Sequence, residues 1–315
     1  MGRTNRDPLV WGRYLAVAGA YAACYELTRY FSFSHWMLPA GLRLACLLLV
    51  PRRFWPALAI GEALPVAEMA FLHISVFGVA WALAASIPPI VFCMPIVAFM
   101  RNRAGLVSDD GQINMSLIVF VTLLCAAATA TENSLVLTTI VMSDGAPGPA
   151  VTVPIFLVWF LGAYLGALAL VPTILGLRER LAAQPRGMFT WHAVRRSPLF
   201  RDTLFIAVPL LALLTALTSF TSDGALQCAR VAMGLPVIAM SLRHGWHGGS
   251  VSSLLASIAI ASTAFTLKDP AMIQAQAILA FIITTSLLFG VRVARRQAAQ
   301  HVLATQEFPM HGRRR

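Results

Sequence analysis

Seven ionisable side chains lie inside long apolar stretches of the sequence, where a charge is energetically expensive. They are Glu26, Arg29, Arg43, Glu62, Glu68, Glu132 and Arg230. A charged side chain at the centre of a bilayer costs at least ~2.5–3.5 kcal/mol, so we expect these groups to face the protein interior and to be paired. Charges in such positions form ion pairs, relay protons or bind polar ligands. They are therefore the candidate functional residues of this chain.

Arg43 and Glu62 are expected to pair with each other. Arg43 lies eight residues before Pro51, where one apolar segment ends. Glu62 lies eight residues after Phe54, where the next apolar segment begins. At 1.5 Å per residue, both side chains lie about 12 Å from the same turn, on consecutive helices. The sequence leaves open whether this intramembrane pair is purely structural or also acts as a switch or a ligand site.

The other five charges fall in the halves of their segments that are farther from the arginine-rich connections. Glu26 and Arg29 are three residues apart and can meet on one helix face. For the whole set, Glu26, Arg29, Glu68, Glu132 and Arg230, two arrangements are open. The side chains either converge on one polar cavity, which would be a ligand- or signal-binding site open to the outside, or form scattered local pairs.

The sequence contains no motif for catalysis, for a cofactor or for a metal. We find no phosphate-binding glycine loop, no H-E-x-x-H and no G-x-S-x-G. The five cysteines are in five different apolar segments without a C-x-x-C pair, and His244 and His247 are too few ligands for a metal. We therefore expect no enzyme activity, no cofactor and no metal.

The segments that must position these charges have the composition of membrane spans. Charged residues make up 12% of the 315 residues, against roughly a quarter in soluble domains. The apolar blocks are about as long as the ~20 residues that cross ~30 Å of hydrocarbon. We predict an all-α fold, a polytopic integral membrane helical bundle of about ten transmembrane helices. The predicted spans are approximately 11–31, 36–51, 54–72, 74–100, 114–142, 150–177, 203–221, 225–241, 248–267 and 271–293.

The positions of the basic residues predict the orientation of the bundle. Of the 24 basic residues, all are arginine except Lys268, and most arginines lie in alternate connections. By the positive-inside rule, both ends of the chain are cytoplasmic, in a multi-pass protein of the bacterial inner (plasma) membrane. The same distribution argues against a nucleic-acid-binding face, and the lipid bilayer is the expected partner. We predict one transmembrane domain over residues 1–295 and a short basic cytoplasmic tail over 296–315.

Two features along the spans allow alternative interpretations. Nine prolines within spans indicate either ordinary irregularity or kinks that line a cavity: Pro39, Pro65, Pro88, Pro89, Pro95, Pro154, Pro172, Pro209 and Pro236. After the last span, neither glycine nor proline occurs between Arg292 and Pro309, so the helix should continue to about residue 305. That extension either docks on another protein or lies against anionic lipid headgroups.

Several short motifs are distinctive in their order and spacing. They are LPAGLRLA at 38–45, PRRFWP at 51–56, Gly61-Glu62, GAYLG at 162–166 and LRHGWHG at 242–248. Together they resemble the first type of membrane-associated sensor (MASE) domain, which precedes bacterial histidine kinases and cyclic-di-GMP enzymes. The resemblance covers nearly all of residues 10–295 and is most similar to the membrane half of the sensor histidine kinase for hexose-phosphate uptake, without its kinase region.

The resemblance implies a sensor that receives a signal in the membrane and passes it inward through its last span. Since the chain ends about twenty residues after that span, we expect a non-catalytic signalling module. It would act in a two-component or related system through a protein partner, such as a kinase, a cyclase or a transporter-like receptor. The alternative is a small ten-span drug/metabolite-type transporter, although residues 1–145 and 150–295 show no convincing inverted repeat. A homodimer remains open.

Overall fold

A computed structural model describes the helices of the chain and most of their connections. The described residues are 8–32, 36–108, 111–142, 145–146, 148–182, 195–263 and 270–307. Within these ranges the secondary structure is helical, apart from turns and isolated bridge residues such as the antiparallel pair of Val107 and Ile113. The predicted all-α fold class is confirmed.

The first of two compact units contains the described residues up to 106, residues 117–171 and residues 270–273. Its helices differ widely in length. They are α1 (Pro8–Tyr30), α2 (Leu38–Leu49), a 3-10 turn (Arg52–Phe54), α3 (Trp55–Leu72), α4 (Ile74–Phe77), α5 (Val79–Ala85), α6 (Ile90–Arg103), α7 (Met115–Thr138) and the first part of α8 (Val153–Ala182).

Glycines of two sequence motifs allow helix backbones in the first unit to approach closely. A Cβ atom on Gly61 of α3 would lie 2.5 Å from the carbonyl oxygen of Ala18 in α1. A Cβ atom on Gly41 of α2 would lie 2.5 Å from the carbonyl oxygen of Gly166 in α8. Small residues give such contacts because membrane helices associate largely by close backbone packing.

The prolines of the predicted spans fall into three groups. Four occupy the second residue of a helical segment, a position at which proline is well tolerated: Pro39, Pro154, Pro209 and Pro236. Three lie inside helices: Pro65, Pro95 and Pro172. Pro88 and Pro89 separate α5 from α6, so that a new helix begins at Ile90 within the fourth predicted span. This last break positions part of the site described below.

The second unit contains the described residues of 107–116, 172–263 and 274–307. It includes the end of α8 and most of the last helix. Its other elements are α9 (Pro198–Asp202), one π-helical turn (Thr203–Ala207), α10 (Val208–Thr218), α11 (Asp223–Ala232), α12 (Leu235–Ser262) and α13 (Pro270–Glu307).

The long helix α12 is a helical hairpin that reverses at Gly245. Gly245 has φ 64° and ψ −155°, a backbone conformation open almost only to glycine. A Cβ atom on Gly249 would lie 3.3 Å from Oγ of Ser241, although a straight helix would separate these residues by about 12 Å. The two arms therefore run side by side, as the separately predicted spans 225–241 and 248–267 require.

The turn of this hairpin packs on α13 with almost no side chain between the backbones. A Cβ atom on Gly290 would lie 2.6 Å from the backbone nitrogen of Trp246. The Ser241 hydroxyl donates to the carbonyl of Ser286 at 2.6 Å. The side-chain amide of Gln297 donates to the carbonyl of Arg243 at 3.0 Å. The hairpin is thus attached along about three turns of α13.

Seven helical stretches of the described chain are long and apolar enough to cross a membrane. They are Arg52–Leu72, Val79–Arg103, Met115–Thr138, Val153–Ala182, Pro198–Thr218, Gly224–Ser262 and Pro270–Gln297. The sixth contains the hairpin, and α2 is a shorter apolar helix of 12 residues. The protein is therefore a multi-pass helical membrane protein.

The last helix continues well beyond its apolar part. α13 has 38 residues and reaches Glu307, which confirms the prediction that the helix extends to about residue 305. Residues 308–315 of the predicted tail lie outside the described residues.

We expect Gly245→Ala to destabilise the protein. A side chain at this φ and ψ costs ~1–3 kcal/mol, and the new Cβ would lie 2.9 Å from the carbonyl oxygen of Gly290. The measurement is the thermal unfolding midpoint of the purified chain in detergent. The matched control is Gly12→Ala in α1, where a Cβ meets nothing within 4 Å. Equal midpoints for the two variants would show that the hairpin turn is not strained by a side chain.

Candidate functional site

The structure places Arg43 and Glu62 in direct contact in the interior of the first unit. Nη2 of Arg43 lies 2.8 Å from Oε1 of Glu62, and Nε of Arg43 lies 3.0 Å from the same oxygen. Arg43 is 3% exposed and Glu62 is 0% exposed. The pair joins α2 to α3, the helices on either side of the arginine-rich turn. The two side chains were predicted to lie at equal distances from this turn.

Two further groups satisfy the carboxylate of Glu62. The hydroxyl of Tyr21 in α1 donates to Oε2 at 2.7 Å. The backbone N–H of Ile90 donates to Oε1 at 3.2 Å. Ile90 is the first residue of α6, so its N–H has no intrahelical partner and the positive end of the helix dipole points at the carboxylate. The break at Pro88 and Pro89 makes this donor available.

The guanidinium of Arg43 reaches one more helix. Its Nη1 donates to Oγ1 of Thr129 in α7 at 3.2 Å. One buried ion pair and its three neighbours thus connect α1, α2, α3, α6 and α7. Because the opposite charges and the hydrogen bonds compensate each other, the cluster presents little net charge to its surroundings. Its geometry is that of a structural centre.

Glu132 is the next charge along α7, and it has a different environment. It lies three residues after Thr129, on the same helix face and about 4.5 Å farther along the axis. The side chain is 8% exposed, and its Oε2 atom is buried with no hydrogen-bond partner among the described residues. Glu132 lines two cavities, of about 250 and 460 Å³. A buried carboxylate without a partner is costly, which is typical of a binding residue.

The remaining charges of the first unit are closer to its surface. Arg29 lies 3.0 Å from Glu26, and its Nη1 also donates to the carbonyl of Pro65 at 3.2 Å. This is a local pair at the spacing expected from the sequence, and both side chains are about two-fifths exposed. Glu68 is exposed and lines neither cavity, so it does not share the environment of Glu132.

Arg230 belongs to the second unit, where it is 1% exposed. Its Nη2 donates to the carbonyl of Thr263 at 2.7 Å, and its Nε donates to the hydroxyl of the same residue at 3.2 Å. Thr263 directly follows the end of α12, so Arg230 satisfies a carbonyl at a helix C-terminus, where a cation is favourable.

The histidines near the hairpin turn each face a carboxylate. Nε2 of His244 lies 2.8 Å from Oδ2 of Asp202, which is also 3.3 Å from Nε of Arg243. Nε2 of His247 lies 3.6 Å from Oε2 of Glu179. Within the described chain, no three His, Cys, Asp or Glu side chains are grouped as metal ligands would be.

Sequence reasoning missed the uncharged members of the buried cluster, Tyr21, Thr129 and the N–H of Ile90. The tandem proline before Ile90 was the strongest available signal, because a helix that restarts inside a span must expose free N–H groups. Thr129 had a weaker signal, its position one turn before Glu132. Tyr21 had none beyond the preference of a buried tyrosine hydroxyl for a partner.

We expect a double-mutant cycle to show strong coupling between Arg43 and Glu62. Arg43→Leu or Glu62→Leu alone leaves an unpaired buried charge, which costs ~3–5 kcal/mol, whereas the double variant leaves none. The double variant should therefore unfold at a higher temperature than either single variant. The measurement is thermal unfolding in lipid nanodiscs. Additive losses in the double variant would show that the two charges do not stabilise each other.

Comparison with known proteins places the chain in a family. The family model MASE1 matches residues 8–297, which is nearly the whole chain. No curated protein and no solved structure matches it significantly. The matched region includes the buried ion pair, Glu132, the hairpin and most of α13. The chain belongs to the MASE1 family of membrane-associated sensor domains.

Proposed function

We propose that this protein is a non-catalytic membrane sensor module that receives a signal in the first unit and passes it to a cytoplasmic or membrane partner. The observation that carries the proposal is Glu132, a buried carboxylate that lines two cavities and whose Oε2 atom has no hydrogen-bond partner among the residues that the structure describes. A carboxylate in this state gains stability from any ligand that compensates its charge. Occupation of the cavity can therefore change the conformational equilibrium of the bundle.

The cavity around Glu132 is the proposed signal-binding site. Tyr25 of α1 lines the smaller cavity and is followed directly by Glu26, whose partner is Arg29. We assign this half-exposed pair to the approach to the site. Glu68 is exposed, and Arg230 binds Thr263 in the second unit, so neither is part of this proposal.

The proposed output element is α13. Its 38 residues would extend about 57 Å, well beyond the thickness of the hydrocarbon region. The hairpin turn of α12 is packed against Gly290 and bonded to Gln297, which fixes part of the helix beyond its apolar segment. A displacement of α13 would thus reach the cytoplasmic partner as a movement of a rigid helix.

Ten crossings, with both ends of the chain in the cytoplasm of a bacterium, fit these elements. The seven long apolar stretches become eight when the stretch Gly224–Ser262 is divided at the hairpin turn, Gly245. α1 has 23 residues, enough to cross the hydrocarbon. α2 is short, with 12 residues, but it carries the paired Arg43. The arginines of the connections then all face inward.

Reporter fusions test this orientation. Reporters placed after residues 102, 190 and 300 should be active only as cytoplasmic reporters, because arginines cluster near these positions. Reporters near residues 146 and 223 should be active only as periplasmic ones. One reversed reporter would change the number of crossings.

Truncation of α13 distinguishes the sensor function from the transporter alternative. Deleting residues 298–315 keeps Gln297 and its bond to Arg243 but removes the cytoplasmic end of the helix. In a deletion strain, the full chain should restore the wild-type transcript profile and the truncated chain should not. Membrane levels of the two chains should be equal, because all apolar stretches remain.

The matched control is the full chain with Glu68→Gln, which changes an exposed carboxylate and should restore the profile completely. If the truncated chain also restores the profile, α13 is not the output. If the purified chain moves a solute into vesicles, the transporter alternative replaces the sensor.

A further inference from the structure

The smaller cavity beside Glu132 has an unusual lining for a membrane bundle. Its volume is about 250 Å³. Three large aromatic residues from three helices line it, Tyr25 of α1, Trp81 of α5 and Trp159 of α8, and Asn133 lies beside Glu132. The cavity therefore combines several aromatic rings with one carboxylate.

Among the described residues that line this cavity, Glu132 is the only acidic one, and none is basic. Arg43, the basic residue bound to Thr129 one turn earlier in α7, already pairs with Glu62. The Oε2 atom of Glu132 is buried and has no hydrogen-bond partner within the described part of the chain. A cationic ligand would supply the missing charge.

The chemistry of the lining selects among cations. Hard metal ions such as Ca²⁺ require six to eight oxygen ligands, whereas the oxygen-bearing side chains among the described lining residues are only Tyr25, Glu132 and Asn133. An alkylated ammonium group makes few hydrogen bonds and is attracted to the faces of Trp and Tyr rings. A lining of two tryptophans, one tyrosine and a carboxylate suits the second class.

We propose that the cavity of Tyr25, Trp81, Glu132 and Trp159 is a binding site for a small organic cation of the quaternary or alkylated ammonium class. The inference rests on the proposed function, because it names the chemical class of the signal. Glu132 compensates the charge of the ligand, and the aromatic side chains contact its alkyl groups. The larger cavity beside Glu132, of about 460 Å³, is lined mostly by apolar side chains such as Ile87, Phe92 and Leu135, and its described lining residues supply no second charge.

Choline is the probe, and 3,3-dimethyl-1-butanol is its uncharged counterpart, with carbon in place of the quaternary nitrogen. Binding is measured by equilibrium dialysis with the full chain in nanodiscs of phosphatidylglycerol, which has no choline headgroup. Choline should bind saturably, and the uncharged counterpart should bind at least tenfold more weakly. Choline should also raise the thermal unfolding midpoint, since it binds only the folded chain.

Three variants assign the binding to this cavity. Glu132→Gln keeps the size of the side chain but removes its charge, and should weaken choline binding at least tenfold. Trp159→Leu should weaken it by about 2- to 30-fold, the range of one cation–π contact. Glu68→Gln makes the same chemical change at an exposed position and should leave the binding unchanged. Unliganded unfolding midpoints show whether each variant is folded.

Three results would overturn the inference. Equal binding of choline and the butanol would indicate an apolar cavity without charge recognition. Choline binding that survives Glu132→Gln would place the cation elsewhere. If choline does not bind, while Glu132→Gln abolishes a pH dependence of the unfolding midpoint, the carboxyl group takes up only a proton. None of these results depends on the truncation of α13. The binding experiments test the ligand class and the truncation tests the sensor function, so the failure of one proposal can be distinguished from the failure of the other.

Discussion

The buried pair of Arg43 and Glu62 is the constraint around which the first unit is arranged. Neither charge can remain unpaired in a hydrocarbon environment. The pair therefore fixes the position of α2 along α3 and the rotation of each helix about its own axis. The remaining lone pairs and donors must also be satisfied, which requires the Tyr21 hydroxyl, the start of α6 and Thr129. Charge compensation at one point therefore determines the relative positions of five helices.

The same constraint separates the structural charges from the candidate binding charge. Arg43 is engaged by Glu62 and Thr129, so it does not directly bind Glu132, although Glu132 lies only one turn beyond Thr129 on α7. The first carboxylate is fixed by four donor atoms from three helices, and the second faces cavities. Helix α7 carries both environments. Thr129 can hold the helix in position through its bond to Arg43, while Glu132 can respond to a ligand. This division follows from the number of donors available around each carboxylate.

Sequence reasoning predicted the fold class, the continuous last helix and the proximity of Arg43 and Glu62, because length, composition and depth are all one-dimensional quantities. It could not predict rotation about a helix axis. Glu62 and Glu68 belong to the same helix, but six residues at about 100° each place them some 120° apart. One side chain is therefore buried and the other exposed. The hairpin at Gly245 was predictable as a turn between two spans, whereas its packing on Gly290 depends on residues 45 positions apart.

The contacts of the hairpin explain why α13 can move as one body with it. Side-chain contacts can be lost and replaced when a helix shifts, because rotamers adjust. At Gly245 and Gly290 the nearest neighbouring atoms are backbone atoms, which a rotamer change cannot move away. The bonds of Ser241 to Ser286 and of Gln297 to Arg243 add fixed points on either side. A rotation or translation of α13 in this region must carry the hairpin turn with it, including Arg243 and His244, which contact Asp202. Any conformational change that reaches α13 is thereby coupled to an ionic contact at the turn.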